Sequence, residues 1–172
     1  SDVDEVMRRA FETALDSFRN LGATVEDVDL PALRFAAASS TLVSAAEISA
    51  GHRRWLAERP REYGDDVRGR LYLGATIGAG EYLLGQRARR LIGAEVRHVL
   101  SRVDLLVAPT APGAAPRIDA GIAGVKDRPL EVGLHHCNLV RLPSLLGLPT
   151  VSLPCGWSPD GLPLGLQLVG RP

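Results

Sequence analysis

The chain has 172 residues, 45% hydrophobic and 23% charged, and its 20 basic side chains balance 20 acidic ones. A chain of this length buries roughly 70% of its unfolded surface and needs no staples. Zero formal net charge gives no electrostatic reason to bind nucleic acid or an anionic membrane.

One domain fits the length, with two small ones as the alternative. Cys137 and Cys155 are the only thiols, and their spacing matches no zinc or redox motif. Neither a signal peptide nor an apolar run long enough to span a bilayer is present, so a reducing cytoplasm is the default compartment. Lys126 is the only lysine; the arginine excess reads as coding bias. The chain opens at Ser1 and stops at Arg171-Pro172 just after a strand-like run, which reads as a piece excised from something longer.

Residues 3 to 21 place Val3, Val6, Met7, Ala10, Phe11, Ala14, Leu15, Phe18 and Leu21 at helical spacing. Asp2 or Ser1 can cap the start, and Gly22 stands where a helix C′ residue belongs. "ATVEDVDLP" then alternates apolar and acidic residues, which predicts a short strand at a sheet edge. Residues 33 to 58 predict one or two closely packed helices, since Ala and Ser let backbones approach. After "ERPREYGDD", helices are expected over 65–79 and 81–102, divided near "GAG". The second turns Leu83, Leu84, Leu91, Ile92, Val96, Val99 and Leu100 inward. "VDLLVAP" suits a strand buried on both faces, and an Ala/Gly/Pro loop follows from Thr110 to about Pro129. A short helix near 131–146 leads to "TVSLP" and "LGLQLVG", two strands flanking the turn residues of "SPDG". Gly147, Pro149, Pro154 and Gly156 mark strand ends, bends or close approaches, and Gly165 and Gly170 a strand pressed against its neighbours. Alternating helices and strands predict an α/β layer architecture.

Several constellations invite chemistry. Gly74, Gly78 and Gly80 lack the preceding strand and the third glycine that a dinucleotide loop needs, so helix packing accounts for them better. His135, His136 and Cys137 set imidazole beside thiol, but adjacent helical residues face different ways, and a pocket- or core-facing Cys137 is the plainer reading. His52, His98, His135 and His136 show no metal-ligand spacing beyond that doublet, so neither a metal nor a cofactor is expected. The arginines of "RRWLAERPREYGDDVRGR" alternate with Glu58, Glu62, Asp65 and Asp66, which describes a solvated face with local ion pairs. Arg70 lies among Leu71, Tyr72 and Leu73 at a position expected to turn inward, where it must meet a carboxylate, carbonyls or a bound anion.

Taken together, four runs resemble the C-terminal half of the amidase signature family: "RRAFETALDSFRNLGATVEDVDLP", "EYGDDVRGRLYLGATIGAGEYLLGQRARRL", "VDLLVAPTAPGAAP" and "GLPTVSLPCGWSPDGLPLGLQLVGRP". The last carries the closing Pro-Cys-Gly and Gly-Leu-Pro-x-Gly-x-Gln-x-x-Gly signature. The resemblance covers essentially the whole chain, in order, and includes the A subunit of glutamyl-tRNA amidotransferase. It implies one C-terminal segment, 1–172, of an α/β/α layered fold with a mixed sheet covered by helices.

The family hydrolyses amides, or transfers their ammonia, with a Ser nucleophile, a second Ser in a cis peptide and a Lys. Lys126 lies in a polar loop, and Ser39-Ser40 lacks the flanking glycines, so no catalytic residue is expected here. The resemblance implies substrate contact by Arg70, at the position that holds the substrate carboxylate in the amidotransferase. It implies another near Cys137, where the family has an acidic residue; with Ser144 replacing the family's Asn, this points to a less polar amide than glutamine. The implied partners are the N-terminal catalytic portion of the same enzyme, a small-molecule amide and a second copy bound through exposed apolar surface. The rival readings are a non-catalytic binding or interaction module and an independent hydrolase using Cys137 or Cys155.

Overall fold

The computed structural model describes residues 3–116 and 137–172. Its contacts divide into two compact units, Ser1–Asp29 with Arg97–Pro172, and Leu30–Val96. Lys126, His135, His136 and most of the expected 110–129 loop lie outside the described residues.

The first unit is built on a three-stranded sheet of order β1-β3-β2: β1 (Leu106–Pro109), β2 (Thr150–Trp157) and β3 (Pro163–Val169), each pair antiparallel. β3 is central because it alone alternates two well-buried faces. Leu164 and Leu166 point one way, and Gln167 and Val169 lie buried at 1% and 4% exposure. A bulge between Pro154 and Gly156 leaves Cys155 as the extra residue, which absorbs the proline on an edge strand where no ladder donor is needed.

Helix α1 (Glu5–Asn20) packs on the Leu164 face, where a Cβ at Gly156 would lie 2.9 Å from the Ala10 methyl. Met7 is fully buried, while Val6 and Leu21 stay exposed; burying Met7, Leu164 and Leu166 contributes about 1.5–3 kcal/mol each. Asp4, not Asp2 or Ser1, caps α1: its Oδ1 accepts from Met7 N at 2.7 Å. Its own N–H donates to Pro112 O, fastening the helix start to the segment after β1. Gly22 follows the helix at φ +94°, as its C′ position requires.

On the opposite face lies a 3-10 turn (Asn138–Val140) running into the short helix α5 (Arg141–Leu146), which ends at Gly147 in the left-handed region. Of the expected 131–146 helix, residues 131–136 lie outside the described residues, and 137–146 are helical, in part as a 3-10 turn. Helical segments on both faces of a sheet make the α/β layering directly visible. The expected strand over residues 24–30 does not form. Val25 and Val28 are half-buried, but no described strand borders them to complete a ladder.

The second unit is helical: a 3-10 turn (Pro31–Phe35), α2 (Ala36–Glu58), α3 (Asp65–Ala75) and α4 (Ala79–Leu100), whose last turn joins the first unit. The small residues of α2 admit its neighbours closely. Ser49 Oγ donates to Leu71 O at 2.9 Å, Ser39 Oγ donates to Gly85 O at 2.8 Å, and both serines are buried. A Cβ at Gly74 would stand 2.2 Å from Ala45 O. Ile92, Val96, Val99 and Leu100 are buried as expected, but Leu83, Leu84 and Leu91 are exposed. On α4 the inward stripe runs through Gly85, Ile92 and Val96, and the leucines sit about 100° or more round the helix from its centre. No described helix is long and apolar enough to cross a membrane.

Gly74→Ala is expected to destabilise the chain by about 1–3 kcal/mol in urea unfolding, because its methyl meets backbone rather than a movable side chain. Gly80→Ala, with open space around it, should instead be neutral or stabilising by about 0.5–1 kcal/mol.

Candidate functional site

One sheet face of the first unit carries a row of polar side chains. Thr110 extends β1 by donating its N–H to Gly165 O at 2.8 Å. Ser152 of β2 lies across β3 from it, and the two hydroxyls meet at 2.7 Å. They meet over Gly165, whose missing side chain makes the room: a Cβ there would sit 3.2 Å from Thr110 Oγ1 and 3.4 Å from Ser152 Oγ.

A cavity of about 340 Å³ opens beside this pair, walled by Thr110, Ser152, Thr150 and Ser144 and by the apolar Val140, Pro143 and Leu148. Gly147 and Gln167 complete it, and among the described residues no charged side chain lines it. Its size is at the lower end of the ~300–1,000 Å³ typical of small-molecule sites.

Gln167 is the tie beneath the cavity. Its Nε2 donates to Pro109 O at 3.1 Å and to Leu139 O at 2.8 Å, spending both amide protons. One buried side chain therefore joins the end of β1, the middle of β3 and the turn before α5. The reversed amide would set Oε1 against two carbonyls, so the orientation is fixed by its partners. Oε1 itself is buried without a hydrogen-bond partner, a cost of about 1–3 kcal/mol that the two donated bonds offset.

The expected contact residues lie elsewhere in the chain. Arg70 belongs to the second unit and is exposed on α3, with no hydrogen bond or ion pair from the described residues. The inward turn expected of it does not occur. Leu71 and Gly74 take the face toward α2, and the residue two positions earlier makes the internal contacts: Arg68 donates to Pro60 O and Tyr63 O at 3.3 Å and pairs with Asp65. Arg54–Glu58 and Arg59–Glu62 are local pairs at 3.0 and 3.8 Å, as the alternating charges suggested.

Cys137 belongs to the first unit, exposed at the entry to the 3-10 turn and one turn before Val140 of the cavity. Cys155 is half-buried at the bulge, and burial pushes its thiol above its ordinary range against a smaller lowering by a backbone hydrogen bond. That shift disfavours the thiolate a nucleophile needs.

The sequence pattern of the family described as Amidase matches residues 1–172, the whole chain. The chain belongs to the amidase family. It is 35% identical over 171 residues to an amidase of Pseudomonas putida, covering 99% of this chain and 36% of that protein. It is 33% identical to the A subunit of the glutamyl-tRNA(Gln) amidotransferase of Methanosarcina mazei, over 96% of this chain and 38% of that one. Among solved structures, a crystal structure of amidase superposes with a TM-score of 0.85 at 28% identity, over 99% of this chain and 39% of that one. The same amidotransferase component from Thermotoga maritima gives 0.73 at 31% identity, over 99% and 36%. The chain thus spans little more than a third of the length of these relatives.

Gln167→Leu removes both donors at nearly constant volume and leaves Pro109 O and Leu139 O to find other partners. A loss of about 1–3 kcal/mol is expected in chemical denaturation, with hydrogen-exchange protection falling first around residues 138–140. Iodoacetamide should label Cys137 well before Cys155 near neutral pH, and labelling of Cys155 should rise only above the pH at which an ordinary thiol ionises; mass spectrometry of digested protein reads both sites.

Proposed function

We propose that this chain is the C-terminal segment of an amidase that hydrolyses carboxylic amides by a Ser–cis-Ser–Lys mechanism. The triad belongs to the N-terminal portion of the same enzyme, and this segment shapes the substrate pocket. The carrying observation is the family match over all 172 residues, set beside a sequence whose only lysine is Lys126 and which has no Gly-Gly-Ser-Ser run.

In the intact enzyme the Ser hydroxyl attacks the amide carbonyl and the amine leaves with a proton. Water then hydrolyses the acyl-enzyme, with backbone N–H groups stabilising each oxyanion. The present residues position the acyl or leaving group. Arg70 has a guanidinium unspent on described neighbours, which suits it to an anionic substituent. At Cys137 a thiol in place of the family's acidic residue suits a less polar amide than glutamine. The compartment in this reading is the cytoplasm, and the activity needs neither cofactor nor nucleic acid.

Assays of the 172-residue chain and of the enzyme carrying its N-terminal portion, side by side on aliphatic and aryl amides, test this reading. Turnover is expected only with the N-terminal portion present; turnover by the chain alone would overturn it. In the active enzyme, Arg70→Ala should raise KM for amides bearing a carboxylate, with little change for neutral ones.

The second expectation concerns association. β2 is the edge of the described sheet, and Val151, Leu153 and Trp157 on it are 50%, 42% and 68% exposed. No charge interrupts the strand, so one of the usual guards against edge pairing is missing. Light scattering should find dimers or larger species of the isolated chain, whereas a strict monomer at high concentration contradicts this.

A further inference from the structure

Helix α4 packs on one side and leaves the other uncovered. Gly85, Ile92 and Val96 turn inward, whereas Leu83, Leu84 and Leu91 are 53%, 60% and 55% exposed. At about 100° per residue, Leu84, Arg87, Leu91 and Ala94 fall on one outward stripe, with Leu83 and Arg90 bordering it. All six are exposed. Neither Arg87 nor Arg90 makes an ion pair or hydrogen bond among the described residues. The acids of the same helix are turned elsewhere. Glu95 accepts from Ala32 N at 2.8 Å, and a Cβ at Gly78 would stand 2.7 Å from the Glu81 carboxylate.

Steps of three, four and three residues make the seam along which a second helix packs. Arg87 stands in that seam between two leucines, and it decides which helix fits. A second copy using the same face supplies no carboxylate, because residues 83 to 94 include no Asp or Glu; both guanidiniums would be desolvated unpaired. A bilayer fits no better. A helix lying in a membrane keeps its cations to the polar side, whereas here an arginine interrupts the leucines. A partner helix with carboxylates set among its leucines meets both needs: it packs the apolar side chains and pairs with the guanidinium forks of Arg87 and Arg90.

We infer that the outward face of α4, at Leu84, Arg87, Arg90 and Leu91, is a docking surface for an acidic amphipathic helix of a partner protein. Burial of the leucines supplies the attraction, and the arginines set the choice of partner, so the association weakens with added salt. The inference concerns a surface of the helical unit and depends neither on amide hydrolysis nor on the cavity of the first unit.

The test uses a labelled three-heptad peptide, Leu-Glu-Ala-Leu-Glu-Glu-Ala in each heptad, and its counterpart with lysine for every glutamate. Fluorescence anisotropy with the 172-residue chain should find the glutamate peptide at least roughly tenfold tighter than the lysine one. Leu84→Ala/Leu91→Ala, two exposed changes, should weaken it about three- to tenfold. Arg87→Glu/Arg90→Glu should reverse the preference toward the lysine peptide, a gain that an unfolded variant does not give. The enzyme carrying its N-terminal portion should bind the glutamate peptide as the chain does, and phosphatidylglycerol vesicles should not sediment the chain. Equal binding of both peptides, binding to vesicles in place of peptide, no binding, unchanged affinity in the folded variants, or loss of binding once the N-terminal portion is present would each overturn the inference.

Discussion

Two hydroxyls on the outer strands of a three-stranded sheet touch across its central strand, and Gly165 is what permits it. Side chains on alternate strands are ordinarily held apart by the side chain between them. Here the intervening position has none, and Thr110 Oγ1 and Ser152 Oγ come to 2.7 Å. The contact joins β1 and β2, which share no backbone ladder. It also fixes where the cavity lies, because both hydroxyls stand at its wall.

The two sheet faces solve different problems. Toward α1 the face is apolar, with Leu164 and Leu166 buried and Gly156 admitting Ala10, and its stabilisation is mainly burial. The other face is polar and is organised by hydrogen bonds. Gln167 donates to backbone carbonyls on both sides and thereby anchors the turn that carries Val140 to the cavity. An apolar residue at 167 would fill the space yet leave those carbonyls without donors. The polar face thus gives up some burial and gains a defined arrangement of donors and acceptors.

Much of this was legible in the sequence, and the failures have physical causes. The three strands are visible because "LLVAP", "TVSLP" and "LGLQLVG" are short apolar runs bounded by turn residues, and α1 to α4 because their apolar positions recur at helical spacing. Periodicity identifies an apolar side of a helix without saying which neighbour covers it. Leu83, Leu84 and Leu91 therefore looked as inward as Ile92, yet are exposed. The alternation in residues 24–30 is strand-like, but a strand needs a partner, and none is described beside it. Arg70 and Arg68 differ by two positions on one helix, and only the course of residues 60–65 decides that Arg68 reaches the carbonyls. The hydroxyl pair was beyond reach because its members are separated by 42 positions. The available signal was a glutamine at an inward position of an otherwise apolar strand, two residues from a glycine.

Family membership does not assign the chemistry of amide hydrolysis to these residues; the structure shows a cavity beside two hydroxyls whose contact depends on the missing side chain at Gly165. The direct test is Gly165→Ala, read by thermal unfolding and the ¹H–¹⁵N spectrum of the same sample. The added Cβ, 3.2 Å from Thr110 Oγ1 and 3.4 Å from Ser152 Oγ, forces one of them to give way, so a folded protein with a lowered unfolding midpoint and amide shifts displaced at Thr110 and Ser152 is predicted. An unchanged unfolding midpoint with native shifts at Thr110 and Ser152 would contradict the account.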